Sequence, residues 1–91
     1  MSRTDIESTE RMIKSLTIFN MTQEEMTNAL KKVYDSIAAD CSDSKIRELG
    51  EALNEVETTM NKSSVEVTNL ITKLQLIKGH LYDIKDVRLD E

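Results

Sequence analysis

Apolar residues recur at alternating steps of three and four from Ile46 to Ile84, with Ser63 as the one gap. A spacing that averages 3.5 residues is typical of a helix that buries one stripe against a partner helix. The first half of the chain carries a second stripe of the same period, from Met12 to Ile37. The two stripes are separated by a polar segment of small side chains, which favour turns and helix N-caps.

These stripes predict an all-α fold: one helical-hairpin domain over residues 1–91. We expect helices over about 5–39 and 45–86, joined by a turn at 40–44. Because the turn is short, the helices are expected to be antiparallel neighbours. The segment Thr22–Glu25 matches the capping box that begins many helices. The stripe keeps its phase across this segment, however, and therefore predicts that the first helix is unbroken.

The two stripes mirror each other about the turn, so that Met26 is expected to face Met60. The two polar positions, Gln23 and Ser63, are expected to meet and to fix the register by hydrogen bonding. The predicted seam, meaning the residues buried between the two helices, consists of Met12, Leu16, Phe19, Gln23, Met26, Leu30, Val33, Ile37, Leu49, Leu53, Val56, Met60, Ser63, Val67, Leu70 and Leu74.

Two helices alone make a poor core, and more apolar residues flank the seam: Ile13, Ala29, Tyr34, Ala52, Ile71 and Val87. We expect these flanking residues to form a second face that packs against a protein partner, as in a four-helix bundle. The pattern does not distinguish a homo-oligomer from a hetero-oligomer. Gly50 lies beside the turn, where a close approach of the helices is expected.

Charge and hydropathy exclude several classes of function. The net charge is −5 and the basic residues are scattered among acids. A nucleic-acid-binding protein needs a basic stripe, so we predict no nucleic acid partner. No apolar run approaches the ~18 residues of a membrane span, and no hydrophobic leader segment opens the chain. The expected location is the cytoplasm, or outside the cell after export without a cleaved signal peptide.

No grouping of residues suggests catalysis. His80 is the single histidine and Cys41 the single cysteine, so there is no cluster with metal-ligand spacing. A lone helical histidine is more often a surface residue than a ligand or base. We therefore predict no enzyme activity, no catalytic, metal or cofactor-binding residues, no cofactor and no small-molecule substrate.

Near the end of the second helix, Tyr82 and Asp86 form a Tyr-x-x-x-Asp pattern. Residues four apart lie on one face of a helix, and this face is off the seam. An aromatic ring and an acid would thus project together, where a partner protein could recognise them. The pattern alone is common in helices.

Together with a short hairpin that turns near its middle, this pattern resembles the WXG-motif family of type VII secretion substrates and their partners. In that family the turn carries Trp-x-Gly, where this chain has Cys41-Ser42-Asp43. A tyrosine follows about forty residues later, as Tyr82 does here. The resemblance implies a paired hairpin that is exported, or that helps a toxin to be exported, with Tyr82 and Asp86 recognised by the secretion machinery.

The segments Ser42–Ser44 and Leu53–Val56 are also similar to the turn and second helix of type III secretion needle subunits. Those proteins are small helical hairpins that polymerise, and their turn contains prolines that this chain lacks. A third hypothesis, which needs no resemblance, is a structural coiled-coil subunit of a larger assembly.

Overall fold

The structure, a computed structural model, describes the backbone of residues 3–41 and 43–90 and the side-chain environment of residues 5–41 and 43–84. Two helices account for the described secondary structure: α1, Arg3–Asp40, and α2, Ser44–Asp90. The predicted all-α helical hairpin is confirmed. Helix α1 runs through residues 20–22 without a break, as the unbroken phase of the stripe predicted.

The turn is closed by Asp43, which lies in the polar segment predicted to form the turn and which caps α2. Its carboxylate Oδ1 accepts a hydrogen bond from the Lys45 backbone N–H at 2.9 Å. Its carbonyl accepts bonds from the N–H groups of Ile46 and Arg47 at 3.0 and 3.2 Å. An acidic N-cap is stabilising because it pairs with the unsatisfied N–H groups and the positive end of the helix dipole.

Helix α2 continues past the predicted end at about Asp86 and reaches Asp90. In α1 and α2, threonine hydroxyls donate to the carbonyl four residues earlier, for example Thr17 to Ile13 and Thr58 to Asn54. These bonds satisfy the hydroxyls within their own helix, which explains how a threonine-rich sequence remains helical.

The chain divides into two compact units, each containing a segment of both helices. Unit 1 comprises Met1–Asn20 and Glu66–Glu91, and unit 2 comprises Met21–Val65. In unit 2, Tyr34 lies against Gly50 and Thr27 against Met60, so rising numbers in α1 meet falling numbers in α2. In unit 1, Asn20 bonds Thr68 and Glu10 bonds Tyr82, in the same antiparallel order.

The helices pack one position away from the predicted seam. The Thr27 hydroxyl lies 3.1 Å from Met60 Sδ, whereas Met26 is 52% exposed. Gln23 bonds Ser64 instead of Ser63. Nine predicted seam residues are consequently exposed: Met12, Phe19, Met26, Leu30, Val33, Ile37, Leu49, Val56 and Leu70. The other seven are half-buried or buried: Leu16, Gln23, Leu53, Met60, Ser63, Val67 and Leu74.

The reason is that three neighbouring columns of residues, each spaced seven apart, could face the other helix, and only two of them are buried in the contact. The middle column, which includes Gln23, belongs to both the predicted and the observed contact. The second buried column is polar in unit 2, as at Thr27, whereas in unit 1 it includes Ile13. Gly50 and Ser64 are small, so the helices can approach closely there, and hydrogen bonds form across the contact. The apolar column on the other side of each helix is left exposed.

Candidate protein-interaction surface

In unit 2 the exposed apolar residues form what we call the apolar side. Its six members have exposed fractions between 39% and 59%: Met26, Leu30, Val33, Ile37, Leu49 and Val56. Residues three, four and seven apart are neighbours on a helix, so the members within each helix are contiguous. Apolar patches above roughly a few hundred Å² are uncommon on monomers and mark interaction sites.

The two helical parts of the apolar side face the same way. Five of its six members come one position before a half-buried residue, as Val33 does in α1 and Leu49 does in α2. The exception is Leu30, which is followed by the exposed Lys31. Two antiparallel helices are related by a local two-fold axis perpendicular to both. A step of the same sense along both sequences therefore leads to the same side of the pair.

Most of the residues that flank the apolar side of unit 2 are small, uncharged and exposed. They continue the helical rows of both helices: Thr22, Ala29, Ser36, Ala52 and Thr59. Two exposed charges interrupt this rim near the turn, Lys45 beside Leu49 and Asp40 beside Ile37. In a two-stranded coiled coil the rim positions usually carry Glu and Lys. A rim that is uncharged away from the turn widens the surface on which further helices can pack.

Unit 2 also contains a groove of about 280 Å³ between the helices, and Leu30 and Val56 of the apolar side are among the residues that line it. It runs from Thr27 and Met60 toward Tyr34 and Gly50, and charged side chains such as Lys31 line it. A Cβ built on Gly50 would lie 2.5 Å from the Tyr34 hydroxyl oxygen, so only glycine leaves room for this ring. Gly50 therefore contacts α1 through the Tyr34 ring, and a close approach of the two helix backbones there stays a prediction.

Unit 2 has a polar centre around Gln23, which is 8% exposed. Its side-chain Nε2 donates a hydrogen bond to Ser64 Oγ at 3.3 Å, and its backbone carbonyl accepts one from the Thr27 hydroxyl at 2.9 Å. The same hydroxyl lies 3.1 Å from Met60 Sδ, and with one proton it can donate to only one of the two acceptors at a time. The polar layer that the sequence predicted forms here with a different serine.

In unit 1 a similar apolar side is exposed: Met12, Phe19, Leu70 and Ile77. Its rim on α2 carries charged or polar side chains, among them Glu66 and Lys73. Unit 1 also buries two apolar side chains, Ile6 at 4% and Leu81 at 3% exposure. Sequence analysis missed Ile6, although its spacing of seven residues from Ile13 places it in the contact column.

The flanking residues that were expected to meet a partner divide into two groups. Ile13, Tyr34 and Ile71 are half-buried in the structure, whereas Ala29 and Ala52 are exposed. The rotation of the contact by one position takes the first three toward the other helix, and their contact with a partner protein stays a prediction. Val87 lies outside the residues whose side chains are described.

Tyr82 is 40% exposed, and its hydroxyl donates to Glu10 Oε1 at 3.0 Å. The tyrosine of the proposed recognition pattern is thereby held to α1 at one end while much of its surface remains accessible. Asp86 belongs to α2, but its side chain lies outside the described residues.

The described residues offer little chemistry beyond packing. Within residues 5–41 and 43–84, no group of three or more His, Cys, Asp or Glu side chains is placed to hold a metal ion. Cys41 is exposed, and no described helix is both long and apolar enough to cross a membrane. Comparison with family models, curated proteins and solved structures gives no match. Inference about function therefore depends on the geometry of the helix surfaces.

Proposed function

We propose that this chain is a non-enzymatic interaction protein that packs its apolar sides against another pair of helices to form a four-helix bundle. The observation that carries the proposal is the apolar side of unit 2. Six neighbouring aliphatic and methionine side chains are exposed there, with a rim that is uncharged except near the turn. An amphipathic hairpin with this surface is one half of the usual bundle core.

The energetics support this proposal. Burying a fully exposed valine side chain contributes about 1.5–3 kcal/mol. Val33 and Val56 are 59% and 45% exposed, so covering each would contribute roughly half of that amount. A single core in a chain this short rarely supplies more than ~3–5 kcal/mol, and oligomerisation is a common way to add to it. Covering the apolar side of unit 2 would therefore change the stability of the chain substantially.

An apolar fluorescent dye tests the proposal at low protein concentration, where assembly is disfavoured. The wild-type chain should enhance the dye fluorescence, and a Val33→Lys/Val56→Lys variant should do so much less. The Asn28→Lys variant is a matched control, because Asn28 is exposed and lies off the apolar side. A folded chain that neither binds the dye nor assembles at any concentration would contradict the proposal.

The more specific hypothesis is that the chain is a small partner or substrate of a type VII-like secretion system, recognised through Tyr82 and Asp86. The accessible surface of Tyr82 near the end of α2 supports it. The Tyr82→Ala/Asp86→Ala variant should remain folded and lose export. Glu10→Gln is the control, because it weakens the partner of the tyrosine hydroxyl without removing the ring. Normal export of the folded double variant would end this hypothesis.

A second candidate function is a structural subunit of a larger assembly, including a needle-type filament. Leu76 and Val65 favour it, since they are 71% and 61% exposed and offer apolar contacts outside the six-residue apolar side of unit 2. Filaments at high concentration would support a needle-type subunit. A discrete small oligomer by light scattering would count against the filament.

A further inference from the structure

We propose that unit 2 exchanges between two packings of its helices. One is the described packing. In the other, which is less populated, each helix is rotated about its own axis and the apolar side is buried between α1 and α2. The residues that cover the apolar side in this second packing belong to the same chain. The exchange needs no partner protein, so the inference goes beyond the proposed function.

The first argument is the kind of residue that the rotation exchanges. In the described contact Thr27 and Glu57 are half-buried, although neither is apolar. Rotation by one column replaces them with the residues that precede them, Met26 and Val56, which are 52% and 45% exposed. Apolar side chains are stabilised when they lose water, whereas polar groups are destabilised unless they find a hydrogen-bond partner. The second packing therefore gains favourable burial.

The second argument is that the polar centre of unit 2 fits both packings. Gln23 lies in the column that both contacts share, and its Nε2 donates to Ser64 Oγ at 3.3 Å in the described packing. The preceding residue, Ser63, is also half-buried. After the rotation its hydroxyl takes the place of the Ser64 hydroxyl and can accept the same hydrogen bond. The exchange thus avoids the cost of leaving a buried amide without a partner.

The third argument is that the apolar residues match across the two helices. Residues that face each other in an antiparallel pair have position numbers with a constant sum. The sum that pairs Gln23 with Ser63 gives every member of the apolar side an apolar residue to face. The pairs are Met26 with Met60, Leu30 with Val56, Val33 with Leu53, and Ile37 with Leu49. The sequence is therefore compatible with burial of the whole apolar side within one chain.

The rotation is small enough to occur without a break in either helix. Adjacent residues are about 100° apart around an α-helix, so exchanging one outer column of a two-column contact for the other takes about 50°. A straight helix drifts about 20° per heptad relative to a 3.5-residue repeat. Unit 2 contains about three heptads of α1, so supercoiling of the helices supplies a rotation of this order.

Tyr34 and Gly50 stabilise the described packing, and both belong to the column that the rotation removes from the contact. A Cβ on residue 50 would lie 2.5 Å from the Tyr34 hydroxyl oxygen. Gly50→Ala therefore overpacks only the described contact, and should raise the population of the second packing by roughly fivefold or more. Gly79→Ala is the matched control, because no atom lies within 4 Å of its new Cβ.

Disulfide trapping at low protein concentration tests the inference on the full chain, with Cys41→Ser as the background. The Val33→Cys/Leu53→Cys pair reports the second packing. Val33→Cys/Asn54→Cys is the control pair, because the rotation carries Asn54 away from the contact. The first pair should form its intramolecular disulfide faster than the control pair, and roughly fivefold faster again when Gly50→Ala is added.

Circular dichroism checks that each variant remains helical. Tyr34→Ala removes the other side of the same contact and should also speed the disulfide between positions 33 and 53, whereas Gly79→Ala should leave its rate unchanged. A disulfide that forms no faster than in the control pair would overturn the inference. So would a rate that neither Gly50→Ala nor Tyr34→Ala increases, because the described packing alone would then account for the cross-link.

Discussion

The two units use the same helices but stabilise their contacts differently. Unit 1 buries Ile6 and Leu81 almost completely, whereas the one buried side chain among the described residues of unit 2 is Gln23. Unit 1 thus has a small apolar core of its own. Unit 2 is held by a glutamine–serine hydrogen bond and by a tyrosine packed on a glycine, and the six residues of its apolar side remain exposed. The apolar residues of an amphipathic helix can therefore be buried within the hairpin or remain exposed on its surface.

The charges follow the same division. Acidic residues outnumber basic ones nine to five in unit 2, and eight to seven in unit 1. In unit 2 the charges that border the apolar side, Asp40 and Lys45, lie near the turn, while in unit 1 the rim includes Glu66 and Lys73. The unit with the weaker apolar core thus has the longer uncharged stretch of rim.

The largest expected effect is the loss of the core of unit 1. Leu81→Ala should lower the free energy of unfolding by about 2–3 kcal/mol, because the buried leucine leaves a cavity that the hairpin fills only in part. Leu76→Ala is the matched control in the same helix, where a 71% exposed side chain should cost less than about 0.5 kcal/mol. Denaturant unfolding monitored by circular dichroism measures both. Equal losses for the two variants would show that unit 1 has no distinct core.

Replacing the single glycine in each unit by alanine compares the packing of the two units through the change in stability. Gly79→Ala in unit 1 should stabilise the chain by about 0.5–1 kcal/mol, because no atom lies within 4 Å of the new Cβ and alanine is the better helix former. Gly50→Ala in unit 2 should give less stabilisation, or a loss, because Tyr34 must move.

Thermal unfolding of both glycine variants, repeated in a Tyr34→Ala background, provides the test. Removal of the ring should restore the full benefit at Gly50 and leave the benefit at Gly79 unchanged. The close contact would be refuted if Gly50→Ala stabilised the original chain as much as Gly79→Ala does.

A double-mutant cycle isolates the polar contact of unit 2. Gln23→Ala and Ser64→Ala should be coupled by about 0.5–1.5 kcal/mol, the net contribution of a hydrogen bond. The neighbouring serine supplies the control: Gln23→Ala and Ser63→Ala should be additive. Coupling between Gln23 and Ser63 instead would indicate that the helices pack in the register predicted from the sequence.

The smallest effect is expected at Tyr82. Tyr82→Phe removes the hydroxyl that bonds Glu10 at 3.0 Å, and an exposed hydrogen bond of this kind should contribute no more than about 0.5–1 kcal/mol. Unfolding of Tyr82→Phe, Glu10→Gln and the double variant measures it. If Tyr82→Phe were as costly as Leu81→Ala, the tyrosine would belong to the core of unit 1 and not to its surface.

The hairpin itself was predictable because two independent signals agree. Heptad spacing in both halves predicts the helices, and the polar segment around Asp43 predicts the turn. Continuity of α1 across residues 20–22 followed from the phase of the stripe, which outweighed the local capping signal at Thr22. Helix ends were less accurate, since the start and end of α1 and α2 depend on a few backbone hydrogen bonds.

The rotation of the contact by one position was not predictable from spacing. Periodicity gives the direction of a stripe to within about one column, and here both neighbouring columns are usable. The choice depends on the fit of Tyr34 against Gly50 and on which serine meets Gln23, and both are three-dimensional facts. The apolar residues were identified correctly, but their place in unit 2 is the exposed side.

Thiol labelling at low protein concentration tests the central claim most directly, namely that the apolar side of unit 2 lies outside the contact between the two helices. In a Cys41→Ser background, cysteines are placed singly at Val33 and at Asn28, both of which are exposed in the single chain. The account predicts that Val33→Cys is labelled as fast as Asn28→Cys. Much slower labelling of Val33→Cys would contradict it, because Val33 would then be buried in the seam between the helices.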